Sequence, residues 1–192
     1  MARRASPLVQ TALFAKNFLQ HPRMLGSFIP SSRFLIRTLL GELDFARARV
    51  IVEYGPGVGT FTHAILARMR PDAMLVALET NREFVHFLQQ STPDPRLRVV
   101  HGSAATVQDA LRANGVGKAD FVISGIPFST LPADERAAVL HATRAVLQPD
   151  GAFLVYQFSP MVLASLRQVF SQVRRGFQLL NMPPAQLFYC TL

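Results

Sequence analysis

Short apolar runs alternate along this chain with longer stretches whose apolar positions have helical spacing. The short runs, rich in β-branched residues, predict strands over 49–54, 74–79, 97–101, 120–125, 151–158, 175–180 and 185–190. Apolar positions three or four residues apart predict helices over 60–69, 81–90, 105–114, 133–147 and 160–172. Strands that alternate with helices predict an α/β fold around a largely parallel sheet.

The last two predicted strands are connected differently from the others. Only Asn181-Met182-Pro183-Pro184-Ala185 separates them, and this link is too short for a crossover helix, so the pair should be antiparallel. Early strands such as Val50-Ile51-Val52 are continuous apolar runs, as expected of parallel strands covered on both faces. We therefore expect a mostly parallel, seven-stranded sheet with helices on both faces and a C-terminal antiparallel hairpin.

The first part of the chain lacks this alternation. Residues 6–20 predict a helix with one apolar face, and a second helix is predicted from Ser31 or Ser32 to Leu40. We accordingly divide the chain into a basic helical segment, 1–40, and a main domain, 41–192.

Charge is concentrated at the two ends of the chain. Residues 1–40 hold six basic and no acidic residues, and residues 151–192 hold three arginines and no acid. The middle of the chain is nearly balanced, with eleven basic and twelve acidic residues over 41–150. Basic ends attract polyanions, either nucleic acid or an anionic lipid surface. An apolar helix face flanked by arginines suits an interfacial membrane helix, and a helix docked on its own domain is the alternative.

Composition indicates the cellular compartment in which the protein is expected. Hydrophobic residues make up 49% of the chain, yet no apolar run is long enough to predict a transmembrane helix. A single cysteine, Cys190, excludes an internal disulfide and is typical of a reducing compartment. We expect a cytoplasmic protein without a metal site.

The segment Glu53-Tyr54-Gly55-Pro56-Gly57-Val58-Gly59 is the strongest functional signal. It joins a predicted strand to a predicted helix, and glycines there let the backbone turn sharply and a ligand come close. Its spacing differs from the Gly-x-Gly-x-x-Gly of dinucleotide sites, and it lacks the lysine of a Walker loop. The segment therefore predicts a ligand other than a pyrophosphate.

Acidic residues indicate which ligand. The second predicted strand ends in Glu79, twenty positions after Gly59, where a carboxylate can accept both ribose hydroxyls of an adenosyl group. A second acid, Glu53, stands before the glycine turn and suits a ligand with a positive centre and an amino group. S-adenosylmethionine fits that description. The cofactor-binding candidates, at the ends of four strands, are Glu53, Tyr54, Gly55, Pro56, Gly57, Gly59, Glu79, Thr80, Gly102, Ser103, Ala104, Ser124 and Gly125.

The loop after the fourth predicted strand is the expected substrate site. It reads Ser124-Gly125-Ile126-Pro127-Phe128-Ser129-Thr130-Leu131-Pro132, and an aromatic face at Phe128 can hold an amine, by a cation–π contact once the amine is charged. A nearby guanidinium can bind a phosphate bidentately. The substrate-binding candidates are Ser31, Ser32, Arg33, Ile126, Pro127 and Phe128. Ser31 and Ser32 are also candidates for capping a helix.

These motifs, with Pro30-Ser31-Ser32 and Asn181-Met182-Pro183-Pro184-Ala185, resemble bacterial phospholipid N-methyltransferases over nearly the whole chain. These are class I enzymes with a Rossmann-like fold, related to the rRNA adenine dimethylases. The resemblance implies methyl transfer from S-adenosylmethionine to the phosphatidylethanolamine headgroup, in successive steps up to phosphatidylcholine. It also implies a phospholipid substrate, an anionic membrane surface as partner, no nucleic acid, and peripheral association with the inner membrane.

Two positions depart from related methyltransferases. Ser103 stands where many have an aspartate facing the adenine, and Ser124 stands where amino-methylating enzymes have Asn or Asp. The second departure makes a nucleobase amine a poorer substrate.

The chemistry requires one further group, because a phosphoethanolamine headgroup carries an ammonium that must lose a proton. Candidate acceptors of that proton are Tyr54, His21, the lipid phosphate and water, and Ser124 is a further candidate catalytic residue. Three alternative functions stay open: an RNA adenine N6-methyltransferase, a small-molecule N- or O-methyltransferase, and a cofactor-binding module without catalysis.

Overall fold

A computed structural model of the chain describes residues 32–192. The strands are β1 (Val50–Tyr54), β2 (Met74–Glu79), β3 (Leu97–His101), β4 (Ala119–Ser124), β5 (Leu147–Gln157), β6 (Gln172–Gln178) and β7 (Ala185–Thr191). The helices are α1 (Arg33–Leu40), α2 (Thr60–Leu66), α3 (Arg82–Ser91), α4 (Val107–Ala113), α5 (Ala133–Val146) and α6 (Leu163–Val169). Three 3₁₀ turns lie at Ala104–Thr106, Phe128–Thr130 and Pro160–Val162.

All seven strands form one sheet in the order β3-β2-β1-β4-β5-β7-β6. β1 to β5 are parallel to one another, whereas β7 is antiparallel to both β5 and β6. The predicted mostly parallel sheet with an antiparallel C-terminal hairpin is confirmed. Because β6 and β5 run in the same direction, the β6–β7 loop lies at the edge of the sheet where the parallel strands end.

A hydrophobic layer covers each face of the sheet. Helices α4, α5 and α6 bury apolar side chains on the face that carries Val52 and Tyr54. Helices α1, α2 and α3 cover the opposite face, around Ile51 and Leu75. Helices therefore flank both faces, as predicted, and the carboxyl ends of the strands open between these two layers.

Helix α1 confirms the second predicted N-terminal helix. Ser32 caps it, since its Oγ accepts a hydrogen bond from the Leu35 amide at 3.1 Å, and Gly41 ends it. Leu35 and Leu39 are buried in the core, so α1 packs as part of the main domain. The helix predicted over 6–20 lies outside the described residues. Over residues 32–192, none of the helices has the length and apolar character needed to cross a membrane.

The predicted element boundaries are wrong in the last third of the chain. β5 begins at Leu147 instead of 151, because it reaches back across an irregularity in register to pair with Ala119. β6 spans Gln172–Gln178 instead of 175–180. β6 is an edge strand, and its mixture of polar and charged residues lacks the apolar run that marks a central strand. Similarly, α6 ends at Val169, before the predicted 172.

Candidate functional site

The glycine loop takes a conformation that few other residues could adopt. Gly55, Gly57 and Gly59 have φ values of +67°, +55° and +85°, and the last of them caps α2. A Cβ on Gly57 would meet no atom within 4 Å, so this residue borders open space. A Cβ on Gly59 would stand 2.6 Å from Leu88 of α3. The loop is therefore open to a ligand at Gly57 and tightly packed at Gly59.

Glu79, at the end of β2, is hydrogen-bonded to this loop. Its carboxylate accepts hydrogen bonds from the Gly57 amide at 3.1 Å and the Asn81 amide at 2.9 Å. The side chain is only 6% exposed, and burial raises its pKa while the backbone amides act in the opposite direction. An acceptor group is thus held in place at the rim of the glycine loop.

A cavity of about 170 Å³ opens at the carboxyl ends of the parallel strands. Nine of the predicted site residues line it, namely Gly55, Gly57, Glu79, Thr80, Gly102, Ser103, Ala104, Ile126 and Pro127. They come from the loops after β1, β2, β3 and β4. The structure thus brings the separate glycine, acidic and proline motifs to one cavity.

The candidate residues left out six that line the same cavity, although two of them, Thr130 and Leu131, belong to the predicted substrate loop. These are Leu78, Phe84, Thr130, Leu131, Glu135 and Val139. Phe84 and Val139 were part of predicted helices, and nothing in their spacing distinguished a cavity wall from the core. The position of Glu135 in the sequence could have indicated its place in the cavity wall, since it lies in the first turn of the helix that directly follows the substrate loop.

Phe128 does not face the cavity, which corrects its predicted role. Its ring is fully buried and packs edge-on against Phe153, with ring centroids 6.3 Å apart. The 3₁₀ turn Phe128–Thr130 directs the ring into the core, where it is not available to a substrate amine.

Tyr54 also points away from the cavity. Its hydroxyl is buried and lies 3.1 Å from Thr143 Oγ1 of α5, and burial raises its pKa far above the usual value. A phenol in this position has no path to a substrate, so Tyr54 is excluded as the proton acceptor. Its backbone contributes to the sheet, where its carbonyl accepts a hydrogen bond from the Gly125 amide.

Glu53 and Ser124 lie under the site and are not part of the cavity wall. Glu53 accepts a hydrogen bond from Thr62 Oγ1 of α2 at 2.7 Å, and burial, with the charge of Glu79 adding to it, raises its pKa to about 8. Ser124 is fully buried, and its Oγ accepts a hydrogen bond from the Ile126 amide at 3.3 Å. Both side chains thus support the loops that follow their strands.

Gly125 is required because Tyr156 of β5 approaches it closely. A Cβ on Gly125 would stand 2.3 Å from the Tyr156 hydroxyl oxygen. The Tyr156 ring itself stacks on Phe61 of α2, with centroids 4.5 Å apart. This contact joins β5 and α2 directly beneath the loop that was predicted to bind substrate.

The remaining predicted residues have local roles or lie outside the described residues. Ser32 caps α1, and Arg33 is exposed with its guanidinium 5.0 Å from the centre of the Phe34 ring. The Pro56 carbonyl accepts a hydrogen bond from the Gly59 amide within the glycine loop. Ser31 and His21 precede the described residues, so their predicted roles stay predictions.

The cavity fits an adenosyl group. Glu79 supplies a fixed carboxylate that can accept ribose hydroxyls, and Gly57 leaves open space beside it. Phe84, Leu78 and Ala104 form apolar walls suited to a flat base. Two larger grooves lie elsewhere, along edge strand β3 and at the amino-terminal edge of the sheet, and the glycine loop contributes to neither.

Comparison with known proteins agrees with this fit. Residues 51–151 match the methyltransferase domain family. Over 180 residues the chain is 32% identical to ornithine lipid N-methyltransferase from Singulisphaera acidiphila. This alignment covers 93% of this chain and 94% of that protein.

Two solved structures share the fold. A SAM-dependent methyltransferase from Aquifex aeolicus superposes with a TM-score of 0.63 at 12% identity, over 94% of this chain and 97% of that one. The 1,6-didemethyltoxoflavin-N1-methyltransferase of Burkholderia thailandensis, solved with bound S-adenosylhomocysteine, gives a TM-score of 0.59 at 17% identity, over 100% and 93%. The chain therefore belongs to the class I methyltransferases that use S-adenosylmethionine, in a family that includes a lipid N-methyltransferase.

Proposed function

We propose that this enzyme transfers methyl groups from S-adenosylmethionine to the amine of a polar lipid headgroup, with phosphatidylethanolamine as the first candidate. Successive transfers would lead to phosphatidylcholine. The observation that carries the proposal is the similarity to a lipid N-methyltransferase over nearly the full length of both chains. We further propose that the enzyme acts in the cytoplasm, peripherally bound to the inner membrane.

When bound, S-adenosylmethionine supplies an electrophilic methyl group on a sulfonium. Because the cofactor would supply the reacting carbon and a sulfur leaving group, and the substrate amine would supply the electron pair, the protein needs no nucleophile of its own. Its task is to hold a neutral amine in line with the methyl group in a site with little water. Ile126 and Pro127 line the cavity after β4, which supports a role for them in flanking the amine.

Glu135 is the acidic residue placed to attract a cationic headgroup. It lines the cavity and is exposed to solvent at the start of α5. A carboxylate there raises the local concentration of ammonium groups. Because Tyr54 is excluded, the lipid phosphate and water stay as acceptors of the proton that the ammonium must lose, with His21 outside the described residues.

Ornithine lipid is the second candidate substrate, since the curated relative is named for it and the identity is 32%. Both lipids present a primary amine, but only phosphatidylethanolamine carries a phosphate beside it. The two candidates therefore differ in whether an anion-binding side chain is needed near the amine.

The test is a direct assay with labelled methyl donor. Purified full-length enzyme is incubated with vesicles that contain phosphatidylethanolamine, ornithine lipid or neither, and lipid products are separated. We expect labelled mono-, di- or trimethylated lipid in at least one of the first two reactions. Parallel reactions with RNA and with a soluble amine address the other classes. Label in RNA or in the soluble amine, with none in either lipid, would overturn the proposal.

A further inference from the structure

The exposed apolar side chains of the described residues are concentrated at one edge of the sheet. The six large ones are Phe34, Met161, Phe177, Leu179, Leu180 and Met182. Met161 follows the carboxyl end of β5, and the last four belong to the end of β6 and the β6–β7 loop. Both places lie at the edge where the cavity opens. Apolar residues exposed singly are ordinary, but a set gathered at the edge where the cavity opens indicates a contact surface.

The β6–β7 loop is joined to the start of α1, which brings Phe34 to the same edge. Asn181 Oδ1 accepts a hydrogen bond from the Ser32 amide at 2.9 Å, and its Nδ2 donates to the Pro183 carbonyl at 2.8 Å. Gln178 Nε2 donates to Thr38 Oγ1 at 2.8 Å. These bonds hold the apolar loop in a fixed position and place the point where residues 1–31 join the domain at this edge.

The charge of this edge suits an anionic surface. Residues 32–41 and the β6–β7 loop, 179–184, contain two arginines, Arg33 and Arg37, and no acidic residue, whereas Arg174 of β6 is paired with Glu42. Arg33 and Arg37 are exposed beside Phe34, and residues 1–31 add four basic residues and no acid. Exposed leucine, methionine and phenylalanine with arginines around them are what a bilayer interface binds, through apolar burial and attraction to anionic lipids.

We propose that the β6–β7 loop, with Phe177, Leu179, Leu180 and Met182, and Phe34 of α1 form the surface that docks on an anionic lipid bilayer. The inference rests on the proposed lipid substrate. It adds a folded contact surface, at the same edge of the sheet as the cavity opening, to the basic N-terminal segment. Docking through this edge turns the cavity opening toward the headgroups, so a lipid amine can enter without leaving the bilayer.

Tryptophan fluorescence tests this surface directly, because the chain contains no tryptophan. Leu180→Trp places a single reporter in the loop, and Ala113→Trp places one at the exposed end of α4, at the opposite edge. We expect vesicles of phosphatidylethanolamine and phosphatidylglycerol with brominated acyl chains to blue-shift and quench only the Leu180→Trp emission. Equal quenching of both reporters, or of neither while the protein floats with vesicles, would overturn the proposal.

A second variant measures the contribution of the loop to binding. Leu179→Ser combined with Leu180→Ser should lower the vesicle-bound fraction about tenfold, because two large apolar side chains no longer enter the interface. Methyl transfer to a short-chain, non-aggregated lipid should be unchanged, which would show that the fold and the site are intact. Unchanged vesicle binding would count against the loop.

The alternatives give different results. If the Leu180→Trp emission is already blue-shifted and shielded from acrylamide without vesicles, the loop is covered by residues 1–31 or by a second copy, and the proposal falls. If lipid in vesicles is methylated while Leu180→Trp stays unquenched, the docking surface is wrong and the proposed function stands. Quenching of Leu180→Trp without methylation of any amino lipid would instead overturn the proposed function and support the proposed docking surface.

Discussion

At the scale of single residues, Glu79 carries the most specific role. Its carboxylate bonds the amides of Gly57 and Asn81 and lines the cavity. Glu79→Ala removes the acceptor for ribose hydroxyls, so we expect affinity for S-adenosylmethionine to fall about 10- to 100-fold, as for other hydrogen bonds to charged groups. Isothermal titration calorimetry measures this. Glu79→Gln keeps an acceptor oxygen without the charge, so its affinity for S-adenosylmethionine should lie between those of wild type and Glu79→Ala.

A thermal melt of both Glu79 variants serves as the control, since this side chain also fastens the glycine loop. Wild-type affinity in Glu79→Ala would contradict the assignment of Glu79 to the cofactor.

Glu53 is expected to control how stability depends on pH. Its pKa is raised from the usual 4.5 to about 8, chiefly by burial. Between these values the folded protein keeps a proton that the unfolded chain releases. The free energy of unfolding therefore falls as pH rises, by at most about 1.4 kcal/mol per pH unit from this group.

Glu53→Gln removes this contribution and keeps an oxygen that can accept from Thr62. We expect the variant to lose less stability than wild type between pH 5 and pH 8 in urea unfolding experiments. Asp134→Asn, at an exposed acid in the first turn of α5, is the matched control and should follow wild type. A Glu53→Gln profile parallel to wild type would show that Glu53 is ionised in the folded protein.

Residue roles were predictable only where position along the chain sets them. Glu79 lies at the cavity because it ends a parallel strand beside the glycine loop. Tyr54 and Phe128 were assigned to the site from equally favourable positions, and both point into the core. Whether such a side chain faces the ligand or the core depends on what packs against it, here Thr143 of α5 for Tyr54 and Phe153 of β5 for Phe128.

At the scale of elements, the glycine loop offers a comparison of two similar substitutions. Gly57→Ala and Gly59→Ala both force alanine into positive φ, at a cost of about 1–2 kcal/mol each. Only Gly59→Ala also brings a Cβ to 2.6 Å from Leu88. We expect Gly59→Ala to destabilise the fold more in urea unfolding. Gly57→Ala should affect cofactor binding more than stability, because its Cβ enters open space next to the site.

Equal losses of stability for the two glycine variants would contradict the packing difference between the two positions. Cofactor titration of both, under conditions where each is folded, separates the effect on binding from the effect on folding.

The bond between the β6–β7 loop and α1 should stabilise the domain. Asn181→Ala leaves the Ser32 amide without its acceptor in a part-buried setting, so we expect a loss of about 1–3 kcal/mol in the free energy of unfolding. Gln178→Ala removes a bond between the same two elements in an exposed position and should cost less. Chemical denaturation of both variants makes the comparison. A larger loss of unfolding free energy for Gln178→Ala would show that the Asn181 hydrogen bond is not the stronger link between the two segments.

Among the elements, β1 to β4 and the helices between them were predictable because each carries a strong local pattern. The edge strand β6 was misplaced because it pairs with one strand, β7, from Gln172 opposite Thr191 to Gln178 opposite Ala185, and carries no apolar run of its own. In the sequence, the Asn-x-Pro-Pro-Ala motif served as a short link between two strands and as a mark of resemblance. Its physical role, a link from the loop to α1, joins residues 149 positions apart.

At the scale of the whole molecule, the uneven charge predicts binding that depends on salt. The two ends of the chain hold nine basic residues and no acid, counting six over 1–40 and three over 151–192. Attraction to anionic vesicles should weaken strongly between 0.05 and 0.5 M NaCl, because the screening length falls from above 10 Å toward about 3 Å at 1 M. Flotation assays at increasing salt measure this, with neutral phosphatidylcholine vesicles as the control.

A residual bound fraction should persist at high salt, because the apolar loop contributes burial that salt does not screen. Complete release at moderate salt would indicate a purely electrostatic contact, without insertion of the loop.

The sequence by itself determined the alternation of strands and helices, the glycine turn, the acid that ends the second strand and the antiparallel final hairpin. Each of these depends on residues close together in the chain, so local spacing and backbone chemistry suffice to predict it. Only the tertiary structure decided which strand-end side chains reach the cavity, that Phe84 and Glu135 line it, and that the apolar loop shares an edge with α1 and the cofactor site. Those arrangements depend on packing between distant segments, and the chain specifies them only once the sheet has assembled.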